Sequence, residues 1–135
     1  MEIGFMFLDA CAIIYLLEGK DEKSDKIRQL VDEHLAIDGN CLFVSSLSIL
    51  ECLSFPKKQG NNQLVIEYES FFAATNVAVI DISRDVIYSA VELRAKYALR
   101  TPDALQLACA LQWRATFVTG DKDLFRIKEV EVVIL

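Results

Sequence analysis

Four carboxylates in this 135-residue chain lie where an acidic catalytic site could form. Each stands beside or within an apolar segment, and they are Asp9, Glu51, Asp103 and Asp121. If they converge, a cation or protons must compensate them, because two carboxylates about 4 Å apart repel by about 4 kcal/mol at an effective dielectric near 20. Oxygen ligands without histidine or thiolate favour Mg²⁺ or Mn²⁺. Such a cluster suits phosphodiester hydrolysis, in which metal ions activate water and stabilise the leaving oxygen.

The acid in the segment "TPDALQLACAL" also has a local structural explanation. Thr101 could be the N-cap of a helix, and Pro102 suits the first helical position. Asp103, in the first turn, would then complement the helix dipole.

The other three acids have equally local alternatives. Asp9 could cap the helix that follows it, and Asp121 could be a turn residue in "TGDKD". Glu51 could belong to a solvated stripe with Ser48 and Ser54. One local explanation does not cover four acids in comparable places, so the metal-site hypothesis stands beside these alternatives.

The elements that must position the acids alternate between strands and helices. Continuous apolar segments predict strands at 5–8, 41–45, 76–82, 115–120 and 130–135. Strands that are apolar on both faces are typical of a parallel sheet covered by helices, so we expect a three-layer α/β/α sandwich with a central parallel sheet. Ligands bind at the carboxyl ends of such strands, where Asp9 and Asp121 fall. The length suits one domain, residues 1–135.

Helical patterns fill the segments between the strands. They cover 10–19, 24–35, 46–55, 63–74, 83–99 and 101–111. We expect the third helix to end before Pro56, with a polar turn "KKQGNN" after it. Because His34 is the only histidine, a two-histidine mechanism of RNA cleavage is excluded. We expect His34 to be partly exposed. Tyr68, Phe71 and Phe72 are expected in the core, with an interface as the alternative.

Charge and composition are those of a globular protein without a membrane segment. The net charge of −6 argues mildly against non-specific nucleic-acid binding, although it leaves a local basic surface open. Asp9 interrupts the longest apolar segment, and "MEIGF" has an acid where a secretory signal is basic, so we expect a cytoplasmic protein. The four cysteines stand singly and are expected to be reduced core residues. The sequence lacks the phosphate loops GxxxxGK and GxGxxG and the GxSxG elbow.

Segments from the whole chain, taken in order, carry a resemblance to a known family. They are "FLDACAIIYLL", "SSLSILECLS" followed by "PKKQGN", "TPDALQLACAL" and "FVTGDKDLF". On these segments the chain resembles the PIN-domain family, most closely the VapC-type ribonuclease toxins. The resemblance implies an α/β/α fold, an acidic pocket holding Mg²⁺ or Mn²⁺, and endonucleolytic cleavage of RNA. It further implies a homodimer and the cognate antitoxin of a type II toxin–antitoxin pair, which blocks the pocket.

The resemblance also assigns roles to particular residues. It places the family's site on Asp9, Glu51, Asp103 and Asp121, with Thr119 as the hydroxyl residue before the last acid and Asp123 as a further member. We expect the first three acids to bind the metal, directly or through water, and Asp121 to complete the site or hold a second metal. Thr119 would orient a carboxylate or water, unless it is only a polar strand-end residue. The expected RNA contacts are basic residues close to the acids in sequence: Lys57, Lys58, Arg100 and Lys122.

Other kinds of protein share parts of this pattern. The main alternative is a non-catalytic PIN-like binding or scaffold module that keeps its acids for stability. A phosphatase of the haloacid dehalogenase type would need a second aspartate at position 11, where this chain has Cys11. A phospho-receiver domain would need paired acids after the first strand, where Asp9 stands alone. The last two are therefore disfavoured.

Overall fold

Five strands form one parallel sheet in the computed structural model, which describes residues 4–135. The strands are β1 (Met6–Leu8), β2 (Leu42–Ser45), β3 (Val77–Ile80), β4 (Thr116–Thr119) and β5 (Val132–Ile134). Their order across the sheet is β3-β2-β1-β4-β5, and every neighbouring pair is parallel. Each strand falls inside a segment that the sequence predicts as a strand, and each is shorter than predicted.

Six helices cover the two faces of this sheet. They are α1 (Ala10–Glu18), α2 (Glu22–Leu35), α3 (Ser46–Gln59), α4 (Asn62–Ala73), α5 (Arg84–Tyr97) and α6 (Thr101–Gln112). Buried residues of α1 to α4 pack with one face of the sheet, and those of α5 and α6 pack with the other face. A short 3-10 helix, Lys122–Arg126, precedes β5. The predicted three-layer α/β/α sandwich is therefore confirmed.

The strand residues alternate between the two cores. Phe7 pairs in register with Phe117, and their rings stack at 5.6 Å on the side of α5 and α6. The next pair, Leu8 and Val118, lies on the other side. Because both faces are buried, the strands read as continuous apolar segments rather than as alternating ones.

The predicted end of α3 before Pro56 is wrong. The helix continues through Pro56 to Gln59, so the first part of the expected turn "KKQGNN" is helical. Proline inside a helix removes one backbone hydrogen bond and costs about 3 kcal/mol, but here its ring is buried. The helix ends at Gly60, whose φ of 68° suits a glycine cap.

The predictions for α2 and for His34 also need correction. The helix begins at Glu22 rather than Ser24, because Asp21 is the N-cap and its side chain accepts a hydrogen bond from the Ser24 amide. His34 is buried, and its Nε2 lies 3.1 Å from the Cys41 carbonyl oxygen. A backbone partner thus satisfies a ring that the helical pattern alone places at the surface.

The remaining predictions about the core agree with the structure in part, because only two of the four cysteines are buried. All four cysteines are free; Cys52 and Cys109 are buried, and the other two are half-buried. Tyr68 is fully buried, and Phe71 and Phe72 are partly buried against the same core. Within residues 4–135, none of the helices combines the length and the apolar character that crossing a bilayer requires.

The connections leave the sheet in opposite directions at its centre. From β1 the chain passes to β2 through α1 and α2 on one face, whereas it reaches β4 from β3 through α5 and α6 on the other. The crevice between β1 and β4, at their carboxyl ends, is therefore the topological switch point, where open α/β sheets bind ligands.

Candidate active site

Asp9 lies at the switch point, directly after β1, and is buried with only 7% of its surface exposed. It is the N-cap of α1, and its Oδ1 accepts a hydrogen bond of 2.8 Å from the Ala12 amide. Burial raises the pKa of Asp9 to about 6, and the charges of Asp103 and Glu51 add to the rise. Hydrogen bonds from Thr119 and Ala12 act in the opposite direction. Asp9 is therefore a helix cap that also lies within the field of two other acids.

Thr119 connects Asp9 to Asp121. Its buried side chain lowers the pKa of Asp9, and its Oγ1 accepts a hydrogen bond of 3.1 Å from the Asp121 amide. Gly120 lies between them, where a Cβ would come within 2.7 Å of the Tyr15 ring. Glycine thus lets the end of β4 pass close to α1, and Asp121 follows two residues after the strand.

Asp121 also caps a helix of its own. Its Oδ1 accepts a hydrogen bond of 3.0 Å from the Asp123 amide at the start of the 3-10 helix. Asp123 itself is 71% exposed in its side chain and forms an ion pair with Arg126 at 3.3 Å. The local interpretations of Asp9 and Asp121 are thus correct as descriptions of their backbone contacts.

The carboxylate of Asp103 forms an ion pair with the side chain of Arg100. Arg100 Nε lies 3.0 Å from Asp103 Oδ2, and its Nη2 lies 3.4 Å from Oδ1. The hydrogen bond and charge of Asp103 raise the pKa of Arg100, with further contributions from the charges of Asp121 and Glu51. The predicted N-cap at Thr101 is wrong: Arg100 is the N-cap without a side-chain bond, and Thr101 is the first helical residue. Arg100 therefore supplies a positive charge that forms an ion pair with Asp103 and is affected by the charges of Asp121 and Glu51.

Glu51 accepts a hydrogen bond from a residue outside the predicted site residues. Gln106, on α6, donates from Nε2 to Glu51 Oε1 at 2.9 Å and to Ser48 Oγ at 2.9 Å. The solvated stripe proposed for Glu51 is correct for Glu51 and Ser54, which are exposed, and wrong for Ser48, which is fully buried. A usable signal was present: Gln106 is a polar residue in an apolar helix, one turn beyond Asp103.

The donor chemistry of the four acids fits a hard divalent cation, although their side chains do not form a finished ligand set. Among residues 4–135, no three Asp, Glu, His or Cys side chains are grouped closely enough to hold a metal ion. The charges of Glu51 and Asp103 nevertheless act on buried Asp9, and those of Asp103, Asp121 and Glu51 act on Arg100. A buried carboxylate whose pKa is raised, as that of Asp9 is, is a group that a divalent cation stabilises in ionised form.

The basic residues expected to contact RNA lie at two distances from the acids. Arg100 is beside Asp103, and Lys122 is exposed directly after Asp121. Lys57 and Lys58 are exposed in the last turn of α3. They lie about 10 Å along the helix from Glu51, at 1.5 Å per residue. Arg100 and Lys122 are therefore better placed for a substrate at the acids.

Known proteins share this arrangement of elements. A family model described as the PIN domain matches residues 6–130. No curated protein sequence matches the chain at a significant level. Among solved structures, the chain resembles one in a toxin–antitoxin complex from Klebsiella pneumoniae, with 26% identity, a TM-score of 0.71 and 95% of each chain covered.

Two further solved structures have the same fold at lower identity. One is VapBC2 from Rickettsia felis bound to a DNA fragment from its promoter, with 19% identity, a TM-score of 0.78, and 98% of this chain and 99% of that chain covered. The other is VapC20 from Mycobacterium tuberculosis, described as a toxin that cleaves the sarcin–ricin loop. Its identity is 16%, its TM-score 0.72, and the match covers 93% of this chain and 98% of that chain.

Proposed function

The chain belongs to the PIN-domain family, and on that premise we propose that it is a metal-dependent endoribonuclease that hydrolyses RNA phosphodiester bonds. One observation carries the proposal. A buried carboxylate at the switch point, Asp9, lies in the field of Glu51 and Asp103, which come from helices on opposite faces of the sheet. A stable fold without a ligand at this place has no need to assemble like charges there.

The proposed cation is Mg²⁺ or Mn²⁺, which when bound supplies activation of water and stabilisation of the leaving oxygen. Asp9, Glu51 and Asp103 would hold it, and Asp121 would complete the site or hold a second ion. Thr119, whose side chain lowers the pKa of Asp9, would orient the Asp9 carboxylate. Asp123, exposed and paired with Arg126, is at most a supporting member.

Arg100 has the geometry of a substrate-binding residue in this proposal. Its side chain is 78% exposed although it pairs with Asp103. An exposed arginine binds phosphate oxygens in a bidentate manner, so Arg100 can contact the RNA backbone when Asp103 turns to a cation. Lys122 would contribute a second positive charge, and Lys57 and Lys58 would contact RNA farther from the cleaved bond.

The proposed biological role is that of a toxin in a type II toxin–antitoxin pair. Structures with the same fold come from toxin–antitoxin complexes, one of them at 26% identity over 95% of the chain. On this basis the partners would be an RNA substrate, a cognate antitoxin that blocks the pocket, and a second copy of the chain in a homodimer. Such a protein would act in the cytoplasm.

The alternative is a non-catalytic PIN-like scaffold, and a specific observation favours it. Asp103, Asp121 and Glu51 each have a protein partner, which a purely structural role would also produce. Metal-dependent cleavage of RNA distinguishes the two functions.

The experiment compares Asp103→Asn with Asp85→Asn, which removes an acid from the first turn of another helix, α5, outside the site. We expect the wild-type protein to cleave total RNA with Mn²⁺ and to stop when EDTA is added. Asp103→Asn should lose about 100-fold in rate, and Asp85→Asn should cleave normally. Cleavage that survives Asp103→Asn, or none by any of the three proteins with Mn²⁺ or Mg²⁺, would leave the scaffold as the better description.

A further inference from the structure

The side chain of Gln106 joins the two helical layers at the edge of the sheet that carries the acids. It comes from α6 on one face and donates to Ser48 and Glu51 of α3, which packs on the other face. The contact to Glu51 spans 55 residues of sequence. Gln106 is only 3% exposed, whereas Glu51 is exposed apart from this contact. The amide is therefore the fixed member of the pair, and the carboxylate is the member it restrains.

The charge of Glu51 determines which way the amide points. An ionised carboxylate only accepts hydrogen bonds, so the nitrogen of Gln106 must face it. The two protons of that nitrogen then match two acceptors, Glu51 Oε1 and Ser48 Oγ. The amide oxygen, Oε1 of Gln106, is buried and has no hydrogen-bond partner among residues 4–135. A buried acceptor without a partner destabilises a fold, so stability alone does not explain this amide.

We infer that Gln106 is a positioning residue, whose amide holds the carboxylate of Glu51 in the orientation that a divalent cation requires. The inference rests on the proposed function and extends it to a residue outside the four acids. By binding one oxygen of the carboxylate, the amide limits rotation of a side chain that is otherwise exposed and leaves the second oxygen free for the cation. Residues that orient metal-binding side chains in this way contribute 10-fold to 100-fold to metal affinity or activity.

The test uses three variants of the full chain. Gln106→Met has a similar volume but no donor, and Gln112→Met makes the same change at an exposed position at the end of the same helix. Ser48→Ala removes the other acceptor of the amide but leaves Glu51 in place. Calorimetry measures Mn²⁺ affinity without RNA, the melting temperature is measured without metal, and kcat and KM are measured with RNA.

We expect Gln106→Met to weaken Mn²⁺ binding by 10-fold to 100-fold and to lower kcat by a similar factor, with KM for RNA unchanged. Gln112→Met should change none of these quantities, and Ser48→Ala should change Mn²⁺ affinity by less than 3-fold. Ser48→Ala and Gln106→Met could instead weaken Mn²⁺ binding equally, with each loss of affinity matching the drop in melting temperature of that variant. In that case Gln106 only packs the helices together, and the inference is overturned.

A second measurement uses the wild-type protein and does not depend on folding of a variant. The side-chain amide signal of Gln106 in an NMR titration with Mg²⁺ should shift with the same midpoint as metal binding. A signal that stays unchanged at saturating Mg²⁺, or full Mn²⁺ affinity in Gln106→Met, would overturn this inference alone. If the wild-type protein binds neither ion, the proposed function fails, and the inference fails with it.

Discussion

Asp9 and Asp21 cap two consecutive helices by the same contact, but their pKa values are shifted in opposite directions. Oδ1 of Asp9 accepts from the Ala12 amide at 2.8 Å, and Oδ1 of Asp21 accepts from the Ser24 amide at 3.1 Å. Hydrogen bonds from the amide and hydroxyl of Ser24 lower the pKa of Asp21. Burial raises the pKa of Asp9 to about 6, although the hydrogen bond from the Ala12 amide lowers this pKa as well.

The difference separates the capping role of an aspartate from what its surroundings add. In both residues the cap favours the ionised form, as a donor to a carboxylate must. Only Asp9 is withdrawn from water and has its pKa raised further by the charges of Asp103 and Glu51, whereas Asp21 is exposed and its pKa is lowered. Capping therefore explains Asp21 completely and Asp9 only in part.

Replacement of each cap by asparagine should separate the two residues most strongly in RNA cleavage. Asparagine is as good an N-cap as aspartate, so both folds should persist. We expect Asp9→Asn to lower the rate of Mn²⁺-dependent cleavage by about 1,000-fold, roughly 4 kcal/mol of transition-state stabilisation. Asp21→Asn should leave the rate within 2-fold. Equal rates for the two variants would reduce Asp9 to a cap.

The second largest difference between Asp9 and Asp21 is expected in the pH dependence of stability. Between pH 3.8 and about 6 the folded protein binds more protons at Asp9 than the unfolded chain, so this residue lowers the free energy of unfolding as pH rises. The rise of the Asp9 pKa from 3.8 to about 6 corresponds to roughly 3 kcal/mol. Asp9→Asn should therefore be more stable than wild type by that order at pH 7, and equally stable near pH 4, in urea unfolding without metal.

The contribution of Asp21 has the opposite sign. Its pKa is lowered in the folded state, so it adds stability above its unfolded pKa, and this stability is lost as pH falls. Asp21→Asn should gain no stability relative to wild type between pH 4 and 7. A gain at pH 7 equal to that of Asp9→Asn would contradict the comparison.

Divalent cations should act on one cap and not on the other. At a Mn²⁺ concentration 100 times the dissociation constant, binding to the folded state adds about 2.7 kcal/mol to the free energy of unfolding. We expect the resulting rise in melting temperature in wild type and in Asp21→Asn. It should be reduced or absent in Asp9→Asn. A calorimetric scan with and without Mn²⁺ measures it, and equal rises in all three proteins would place the ion elsewhere.

The smallest effect is expected at Asp103 in the absence of metal. Its ion pair with the exposed Arg100 contributes at most about 1 kcal/mol, and its charge repels Asp9. Asp103→Asn should therefore leave the metal-free free energy of unfolding unchanged or raise it by less than about 1 kcal/mol in urea unfolding. A loss of 2 kcal/mol or more would show that Asp103 serves mainly to stabilise the first turn of α6.

Most of the fold could be predicted because its signals are local. The five strands are apolar segments, and their burial on both faces follows from that pattern. Pro56 and His34 escaped prediction for a common reason. Both are buried, which the local pattern does not show, and His34 also lies beside the Cys41 carbonyl.

The sequence by itself determined that Asp9 and Asp121 follow strands, and it indicated a cap at Asp9 and a turn at Asp121, because such contacts span at most three positions. Only the tertiary structure decided that Asp9 is buried where the charges of Asp103 and Glu51 act on it, and that Gln106 reaches Glu51 across 55 residues. Burial and charge act through space, so the strand order β3-β2-β1-β4-β5, rather than spacing along the chain, determines which acids share one field.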